Sequence, residues 1–255
     1  MQKRKCERTA AIALSHETGR RAPIASIDSR MYIQHNLNLG NGLEPILEFI
    51  DQLPADQIKA SVVRMFEDGD YSVIHADYVL GSWGPMVAFD VHRWKDDRIV
   101  EHWDNLCPTS PANESGHTMT DGPTEVMDID KTSENKAVVE KFTSRVLIGG
   151  DLTSSFEYFL GDRLVQHSSH YGDGSRAFQE QLSRWQREEG LTYARVHKVL
   201  GEGNMVLTMS EGVLRREPTA FYDLYRIATG RIAEHWEVFE TIPLRETWQN
   251  SNGKF

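Results

Sequence analysis

Two aspartates, Asp90 and Asp223, interrupt stretches of apolar residues and are the first candidates for chemistry in this sequence. An acidic side chain in such a stretch must pair with a cation, for example Arg93 or Arg226, or serve a function. Burial raises the pKa of a carboxyl group, and a second carboxylate nearby raises it further. One carboxyl group of such a pair can be protonated at neutral pH while the other acts as a base, which suits proton abstraction next to a carbonyl group.

Histidines, further carboxylates and aromatic residues accompany both aspartates in motifs that occur twice. The candidate catalytic residues are His35, Asp90, Glu101, His102, Asp104, His167, Asp223, Glu234 and His235. The candidate ligand-binding residues are Tyr32, Gln34, His92, Trp103, Gln166, Tyr225 and Trp236. In the first half of the sequence we expect Asp90 to be the base, His35 to donate a hydrogen bond to the developing enolate oxygen, and Trp103 to form an aromatic wall.

The repeated motifs show that the second half of the sequence resembles the first. The Gln-His pair at His35 returns at His167, 132 positions later, and the Glu-His-Trp motif at His102 returns at His235, 133 positions later. A period of this length is too long for a solenoid or propeller repeat and indicates two similar domains. We expect a first domain over residues 1–110, a flexible linker over 111–130, a second domain over 131–245 and a frayed tail over 246–255.

The elements that must position these residues follow the same order in both halves. The first half predicts helices over 7–16, 24–27 and 43–53 and strands over 58–66, 71–80, 86–94 and 98–106. The second half predicts helices over 134–147, 155–160 and 175–188 and strands over 193–200, 205–214, 220–227 and 231–239. Helices gathered before an antiparallel meander make an α+β unit in which the helices cover one face of a curved sheet.

The last two strands of the first half predict which side chains share a face. If the hairpin turns at Asp96–Asp97, alternation places Asp90 on one face with Glu101 and Trp103, and places His102 and Asp104 on the other. A shift of one residue exchanges these partners. We favour Asp90 with Glu101 and Trp103 in the pocket, and we keep His102 and Asp104 as the alternative set.

Several of these residues match the SnoaL-like polyketide cyclase family of the NTF2-like superfamily. The matching residues are Tyr32, Gln34, His35, Asn36, Asp90, Arg93, Ile99, Glu101, His102, Trp103 and Asp104. The sequence resembles this family over both halves, in a tandem double-domain form. The resemblance implies two cone-shaped, cystatin-like α+β domains with a pocket between the helices and the concave sheet. It also implies a small organic ligand and an aldol-type ring closure on a polyketide ester without metal or cofactor.

The second half departs from the family pattern at the positions of Tyr32, Asn36 and Asp104. Leu164, Ser168 and Glu237 replace these residues in that order. The two halves are therefore not expected to be equally active.

Structural explanations remain open for most of these motifs. The two Gln-His pairs could satisfy backbone groups at a helix-to-strand junction. The repeated Glu-His-Trp motif could form a duplicated sheet interface, with Trp103 and Trp236 buried in a core or an interface.

Composition narrows the classes of partner. The formal net charge of −10 and the sequence pI near 5.5 provide no basic field for nucleic acid or a membrane surface. Two cysteines at non-equivalent positions argue against a disulfide framework and favour a cytoplasmic protein. No nucleotide-binding or serine-hydrolase motif occurs, so we expect no cofactor. The spacing of His167, His170 and Asp173 looks ligand-like, but no helical His-x-x-x-His motif accompanies it, and we predict no metal.

These observations predict a cofactor-independent enzyme that uses general acid-base catalysis on a small carbonyl or polyketide-like metabolite, as an aldol-type cyclase or an isomerase. The alternative is a non-catalytic ligand-binding or assembly module of the same fold. An open cavity that exposes Asp90 or Asp223 favours the enzyme, whereas arginine salt bridges on both aspartates favour the module. The expected partner is a small hydrophobic organic ligand. The duplication suggests that the two domains pair as an intrachain pseudo-dimer, and a homodimer of chains is left open.

Overall fold

The computed structural model describes residues 4–18, 22–52 and 58–255 and divides the chain into two compact units. Unit 1 comprises Met1–Thr109 together with Pro243–Phe255, and unit 2 comprises Ser110–Ile242. The predicted end of one helix at Leu53 lies outside the described residues. Within the described part of the chain, no helix combines the length and the hydrophobicity needed to cross a membrane.

Unit 1 is an antiparallel meander with helices on one side and a short parallel edge strand. Its elements are α1 (Lys5–Thr18), a 3-10 turn (Ala22–Ser26), β1 (Ile33–Gln34), α2 (Glu44–Gln52), β2 (Ile58–Asp68), β3 (Tyr71–Leu80), β4 (Pro85–Lys95) and β5 (Arg98–Pro108). The strand order in the sheet is β1-β5-β4-β3-β2. Helix α1 packs on β2 and β3, because its small and apolar residues Ala10, Ile12 and Ala13 lie on one buried face.

Unit 2 repeats this plan. Its elements are α3 (Thr132–Phe142), a π-helical turn (Thr143–Ile148), α4 (Ser155–Tyr158), β6 (Val165–Gln166), α5 (Ser175–Glu188), β7 (Thr192–Glu202), β8 (Met205–Leu214), β9 (Glu217–Ala228) and β10 (Arg231–Thr241). The strand order is β6-β10-β9-β8-β7, which is the order of unit 1. The predicted fold class, two tandem α+β units with helices preceding an antiparallel sheet, is confirmed.

A β-bulge in β5 changes which residues share a face. The hairpin turns at Asp96 and Asp97, both at positive φ as a two-residue turn requires, and Trp94 pairs with Ile99. Val100 is then an extra residue, so that the next pair is Arg93 with Glu101 rather than His92 with Glu101. Beyond the bulge, each side chain of β5 therefore lies on the opposite face of the sheet from the one predicted for a regular hairpin.

The bulge makes our favoured face assignment wrong for β5. Asp90 pairs with Asp104, and His92 pairs with His102, so that the alternative set from β5 lies beside Asp90. Unit 2 carries the same bulge at Ala233, between the pairs formed by Ile232 and Glu234. The bulge is therefore a shared feature of the two units.

The segments predicted as a linker and a tail are packed parts of the two units. In the connecting segment (residues 110–128) the buried Asn113 side chain donates hydrogen bonds to the carbonyls of Gln166 and Ser168 in unit 2. In the C-terminal segment (residues 243–255) the Asn252 side chain donates to the carbonyl of Gln34 in unit 1, and Lys254 is buried. Asparagine amides can replace the sheet partners that edge β1 and edge β6 lack, which explains why polar sequences are ordered here.

Candidate active site

Unit 1 contains a cavity of about 280 Å³ between its helices and its sheet. The apolar part of the wall comes from the helical side and from the strands: Ile12, Ala13, Ile24, Ile27, Ile46, Phe49 and Ile50, with Ile58, Ile74, Leu80 and Leu106 from β2, β3 and β5. The polar part comes from β1, the loop after it and the inner face of the sheet: Tyr32, Gln34, Asn36, Tyr78, Asp90, His92, His102 and Asp104. An apolar cleft with a few convergent polar groups is the usual form of a small-molecule site.

Asp90 and His102 form a hydrogen-bonded pair at the polar end of the cavity. The Asn36 backbone N–H donates to Gln34 Oε1 at 2.8 Å, which fixes this atom as an acceptor. His102 Nδ1 lies 3.0 Å from the same oxygen and must therefore carry a proton. His102 Nε2 lies 3.2 Å from Asp90 Oδ1, so one proton is shared between this nitrogen and this carboxylate.

The surroundings of this pair favour a charged His102. Burial alone would lower the pKa of His102, but the hydrogen bond to Asp90 and the negative charges of Asp104 and Asp90 outweigh burial and raise the pKa. Tyr78 Oη donates to the second oxygen of Asp90 at 2.9 Å. Asp90 is thus held by two donors, and its pairing partner is a histidine rather than an arginine.

Tyr32 offers a hydroxyl proton to the cavity. Gln34 Nε2 donates to Tyr32 Oη at 3.5 Å, so this hydroxyl accepts from the amide and its own proton remains available for a ligand. Burial, with the added charges of Asp104 and Asp90, raises the pKa of Tyr32 well above its usual value. Tyr32 is therefore a protonated donor at neutral pH.

Asp104 and His92 complete the polar end. Asn36 Nδ2 donates to Asp104 Oδ2 at 2.7 Å, and Lys254 Nζ lies 3.8 Å from Asp104 Oδ1, close enough for an ion pair but not for a hydrogen bond. His92 stacks on His102 with 4.5 Å between ring centroids. Burial, reinforced by the charge on His102, lowers the pKa of His92 well below its usual value, so His92 is neutral.

His35, Glu101 and Trp103 do not line this cavity, which corrects the roles predicted for them. Glu101 accepts a hydrogen bond from Arg93 Nε at 2.6 Å and lies 2.9 Å from His35 Nε2. His35 Nδ1 lies 2.8 Å from the carbonyl oxygen of Gly253, and its ring stacks on Trp103. His35 therefore cannot be the donor predicted for the enolate oxygen, and Trp103 is not the predicted aromatic wall.

Unit 2 has the same polar trio in a filled interior. His235 lies between Gln166 Oε1, at 2.9 Å, and Asp223 Oδ1, at 3.1 Å. Tyr171, Phe178 and Tyr225 pack against the His235 ring, and Tyr193 Oη lies 3.5 Å from Asp223 Oδ2. These rings belong to a buried cluster that also contains Phe142, Phe159, Trp185 and Phe221. The side chains of Asp223 and His235 are only 1% and 3% exposed. Four of the predicted site residues of unit 2, Gln166, Asp223, Tyr225 and His235, are therefore brought together, but they are enclosed by protein.

Glu237 shows the effect of this enclosure on charge. Burial raises the pKa of Glu237 to about 7, and the charge of Asp223 adds to the effect, although His235 and the hydrogen bond from Ser168 oppose it. Its position in the sheet is that of Asp104 in unit 1, because Glu237 pairs with Asp223 as Asp104 pairs with Asp90.

The other predicted residues of unit 2 lie in a network on the opposite side of the sheet. His167 Nε2 lies 3.0 Å from Glu234, and Glu234 accepts from Arg226 Nε at 2.7 Å. The His167 ring stacks on Trp236 with 4.3 Å between centroids. This network matches that of His35, Glu101, Arg93 and Trp103 in unit 1. Neighbouring residues of the repeated Gln-His and Glu-His-Trp motifs therefore lie on opposite faces of the sheet.

Three groups of described residues place histidine and carboxylate ligand atoms close enough for a metal ion. They are Asp90, His102 and Asp104 in the cavity of unit 1, Asp223, His235 and Glu237 in the interior of unit 2, and His117, Asp121 and His167 near the surface of unit 2. All three groups are hydrogen-bonded within themselves or to their neighbours. The third group includes two residues of the connecting segment.

Sequence reasoning missed Tyr78 and Lys254. Tyr78 lies on β3, and unit 2 has no tyrosine at the equivalent place. The hydroxyl that approaches Asp223 in unit 2 belongs instead to Tyr193 on β7, at 3.5 Å. Duplication therefore gave no signal for it. Lys254 lies in the polar C-terminal segment, and only its burial beside Asp104 marks it.

Comparisons with known proteins concern one unit at a time. No family model matches the chain, and no curated protein matches its sequence significantly. An LEH-like epoxide hydrolase from M. tuberculosis is 21% identical, with a TM-score of 0.35, over 43% of this chain and 85% of that protein. A candidate ketosteroid isomerase from Kribbella flavida is 16% identical, with a TM-score of 0.38, over 46% of this chain and 87% of that protein.

A candidate polyketide cyclase from Streptomyces antibioticus, IdmH, is also similar. It is 16% identical, with a TM-score of 0.34, over 42% of this chain and 91% of that protein. Each of these solved structures spans less than half of the chain, and the chain has two such units. Likenesses of this size do not identify a reaction.

Proposed function

We propose that unit 1 is a cofactor-independent enzyme that uses general acid-base catalysis on a small, mostly apolar carbonyl compound, as an aldol-type cyclase or an isomerase. The observation that supports this most is that Asp90 lines an apolar cavity and pairs with His102 and Tyr78 rather than with an arginine. Arg93, the nearby candidate partner, is used by Glu101.

Asp90 is the base in this proposal. It takes a proton from the carbon next to the substrate carbonyl, and the C–H electron pair becomes the double bond of an enolate. The negative charge that develops on the carbonyl oxygen is stabilised by the hydroxyl proton of Tyr32. His102 and Tyr78 hold the two oxygens of Asp90 and fix its orientation.

The proton then returns from Asp90. In an isomerase it adds to another carbon of the enolate. In an aldol cyclase the enolate carbon attacks a second carbonyl carbon of the same molecule, a carbon–carbon bond forms, and the new alkoxide oxygen takes the proton. Both routes leave the enzyme unchanged and require no redox partner.

The apolar wall supports a hydrophobic substrate. Ile12, Ile27 and Phe49 line the same cavity as Asp90, so a bound apolar molecule would exclude water from Asp90. Loss of water strengthens the electrostatic contacts inside the site, including the hydrogen bond from Tyr32 to the developing enolate oxygen.

A specific observation favours the alternative function for unit 2. Its equivalent trio is surrounded by packed aromatic rings, and Leu164 stands where unit 1 has Tyr32. We therefore propose a structural, non-catalytic role for unit 2. A cytoplasmic location and pairing between units or between chains stay predictions of the sequence.

The test compares Asp90→Asn with the matched variant Asp223→Asn. Wild type and both variants are screened by thermal shift and turnover assay against a panel of apolar mono- and diketones and polyketide esters. We expect ligands that raise the melting temperature of wild type, and turnover that Asp90→Asn lowers about 10²–10⁴-fold. Asp223→Asn should leave turnover unchanged. Turnover that survives in Asp90→Asn would contradict the proposal.

A further inference from the structure

The third histidine and carboxylate group of unit 2 forms a connected cluster outside the aromatic core. Asp121 joins the two histidines, since its Oδ1 lies 2.5 Å from His167 Nδ1 and its Oδ2 lies 3.2 Å from His117 Nδ1. His117 Nε2 lies 3.3 Å from Asp173 Oδ2. The side chain of His167 is buried, whereas His117 and Asp121 are 31% and 39% exposed, so a solvated ion can reach the cluster.

The hydrogen bonds of His167 direct a lone pair or a second proton at Asp121. Glu234 accepts a hydrogen bond from Arg226 Nε at 2.7 Å. The other oxygen of Glu234 lies 3.0 Å from His167 Nε2, so a carboxylate engages this ring nitrogen. His167 Nδ1 lies 2.5 Å from Asp121 Oδ1, so the second ring nitrogen is also aimed at a carboxylate. The two atoms share a proton at this distance, and after a small separation both could bind one metal ion.

The charge of the cluster indicates a dication. Glu234, Asp121 and Asp173 are three carboxylates, and Arg226 is the guanidinium that pairs with one of them. The carboxylates therefore outnumber the guanidinium by two. One divalent metal ion would balance these two charges while binding the imidazole nitrogens of His117 and His167, whose ligand atoms lie within 4.8 Å of one another and of Asp121.

The backbone around the cluster is shaped to hold it. Gly122 has φ +89°, and a Cβ at this position would lie 2.7 Å from His167 Cε1, so that glycine allows the connecting segment to contact the histidine ring. The indole N–H of Trp236 donates to the carbonyl oxygen of Asp121 at 3.0 Å. Glu234 orients His167 in the way that carboxylates orient metal-bound histidines in many sites.

Unit 1 provides a comparison within the same chain. Its equivalent histidine, His35, stacks on Trp103 and contacts Glu101 in the same way. Its Nδ1 faces the carbonyl oxygen of Gly253 instead of a carboxylate. One ring nitrogen of His35 therefore faces a carboxylate, whereas both ring nitrogens of His167 do.

We propose that unit 2 binds one divalent transition-metal ion of the zinc class through His117, Asp121 and His167, with Asp173 beside the site. Imidazole and carboxylate donors together suit zinc, cobalt and nickel rather than calcium or magnesium. The ion links the connecting segment to the sheet of unit 2. Its expected consequence is metal-dependent stability of this segment, because a ligand that binds only the folded form stabilises it by mass action.

The test is titration of the metal-free full chain with Zn²⁺ and with Co²⁺. Calorimetry monitors both titrations, and visible absorption also monitors the titration with Co²⁺. We expect one equivalent of metal to bind to wild type and to raise its melting temperature. His117→Ala and Asp121→Asn should each weaken binding at least about 10-fold, as loss of a ligand or its support does. His170→Ala removes another exposed histidine of unit 2 and should bind like wild type.

Asp90→Asn separates this site from the cluster in the cavity of unit 1. It should leave the metal stoichiometry and affinity unchanged. Hydrogen exchange of residues 110–128 should slow on metal addition in wild type but not in His117→Ala. Equal metal affinity in wild type, His117→Ala and Asp121→Asn would overturn the proposal, and so would loss of binding in Asp90→Asn alone.

Discussion

The two units place the same three side chains at nearly the same distances but in opposite surroundings. His102 lies 3.0 Å from Gln34 and 3.2 Å from Asp90, and His235 lies 2.9 Å from Gln166 and 3.1 Å from its aspartate. The first trio borders a cavity, and the second is enclosed by aromatic rings. The trio is therefore a property of the shared sheet, and access to it is what separates a candidate active site from a core.

A few substitutions account for the difference in access. Ile27 in unit 1 and Phe159 in unit 2 occupy equivalent places, since each forms an isolated bridge to the isoleucine that precedes the bulge. Helix α5 buries Phe178, Leu182 and Trp185, whereas none of the residues of α2 is fully buried. Larger rings thus fill in unit 2 the space that unit 1 leaves open.

The largest effect expected from this comparison concerns stability. Phe178→Ala removes a ring that is 3% exposed and should destabilise unit 2 by about 3–5 kcal/mol. Ile46→Ala in α2 removes a half-buried side chain beside an existing cavity and should cost unit 1 about 1–2 kcal/mol. Hydrogen exchange measured by mass spectrometry in denaturant reports on each unit separately. Equal losses in the two units would show that unit 1 is packed as tightly as unit 2.

The second prediction uses the charge of Glu237. Its pKa of about 7 in the folded protein exceeds the usual value of 4.5, so the folded state binds more protons between these two pH values. The stability of unit 2 should therefore fall by about 3 kcal/mol as pH rises from 4.5 to 7, and then stay level. In Glu237→Gln this fall should disappear, because glutamine stays neutral and can still accept from Ser168.

The matched control for this prediction is Glu217→Gln, which changes an exposed glutamate of β9. It should retain the pH dependence of wild type in denaturation curves collected from pH 4.5 to 8. An unchanged pH dependence in Glu237→Gln would assign the effect to another group.

The third prediction converts the cavity of unit 1 toward the filled state of unit 2. Ile27→Phe places a ring where unit 2 has Phe159 and should weaken binding of any ligand of the cavity about 5- to 150-fold, which corresponds to about 1–3 kcal/mol of overpacking. Leu14→Phe enlarges an exposed residue of α1 and should have no such effect. Titration calorimetry with a ligand found in the screen checks both variants. Unchanged affinity in Ile27→Phe would place the ligand elsewhere.

Most of the fold could be predicted from the sequence because it rests on local patterns. The strands Tyr71–Leu80 and Met205–Leu214 and the helix Ser175–Glu188 have the predicted bounds, since turn residues limit the strands and apolar spacing marks the helix. The hairpin at Asp96–Asp97 also turns where it was placed. The bulge at Val100 could not be predicted, because an ordinary valine carries no signal of an unpaired position.

That single bulge decided which predicted site residues meet. It moved His102 and Asp104 to the face of Asp90 and moved Glu101 away from it. The sequence also did not predict that the connecting segment and the C-terminal segment are packed parts of the two units. Their asparagines bond to backbone carbonyls of distant residues such as Gln166 and Gln34, and such long-range contacts leave no periodic pattern in a sequence.

The smallest predicted effect concerns Lys254, the buried cation that these contacts bring to Asp104. Its positive charge lowers the pKa of His102, against the stronger raising effect of the two aspartates. Lys254→Met should therefore raise the pKa of His102 further, by less than about one unit. Lys254→Arg should restore the wild-type value, and Lys131→Met, which removes an exposed lysine, should not change it. NMR titration of the His102 imidazole measures this shift, and a fall of the pKa in Lys254→Met would show that Lys254 acts on His102 by ordering the site rather than by its charge.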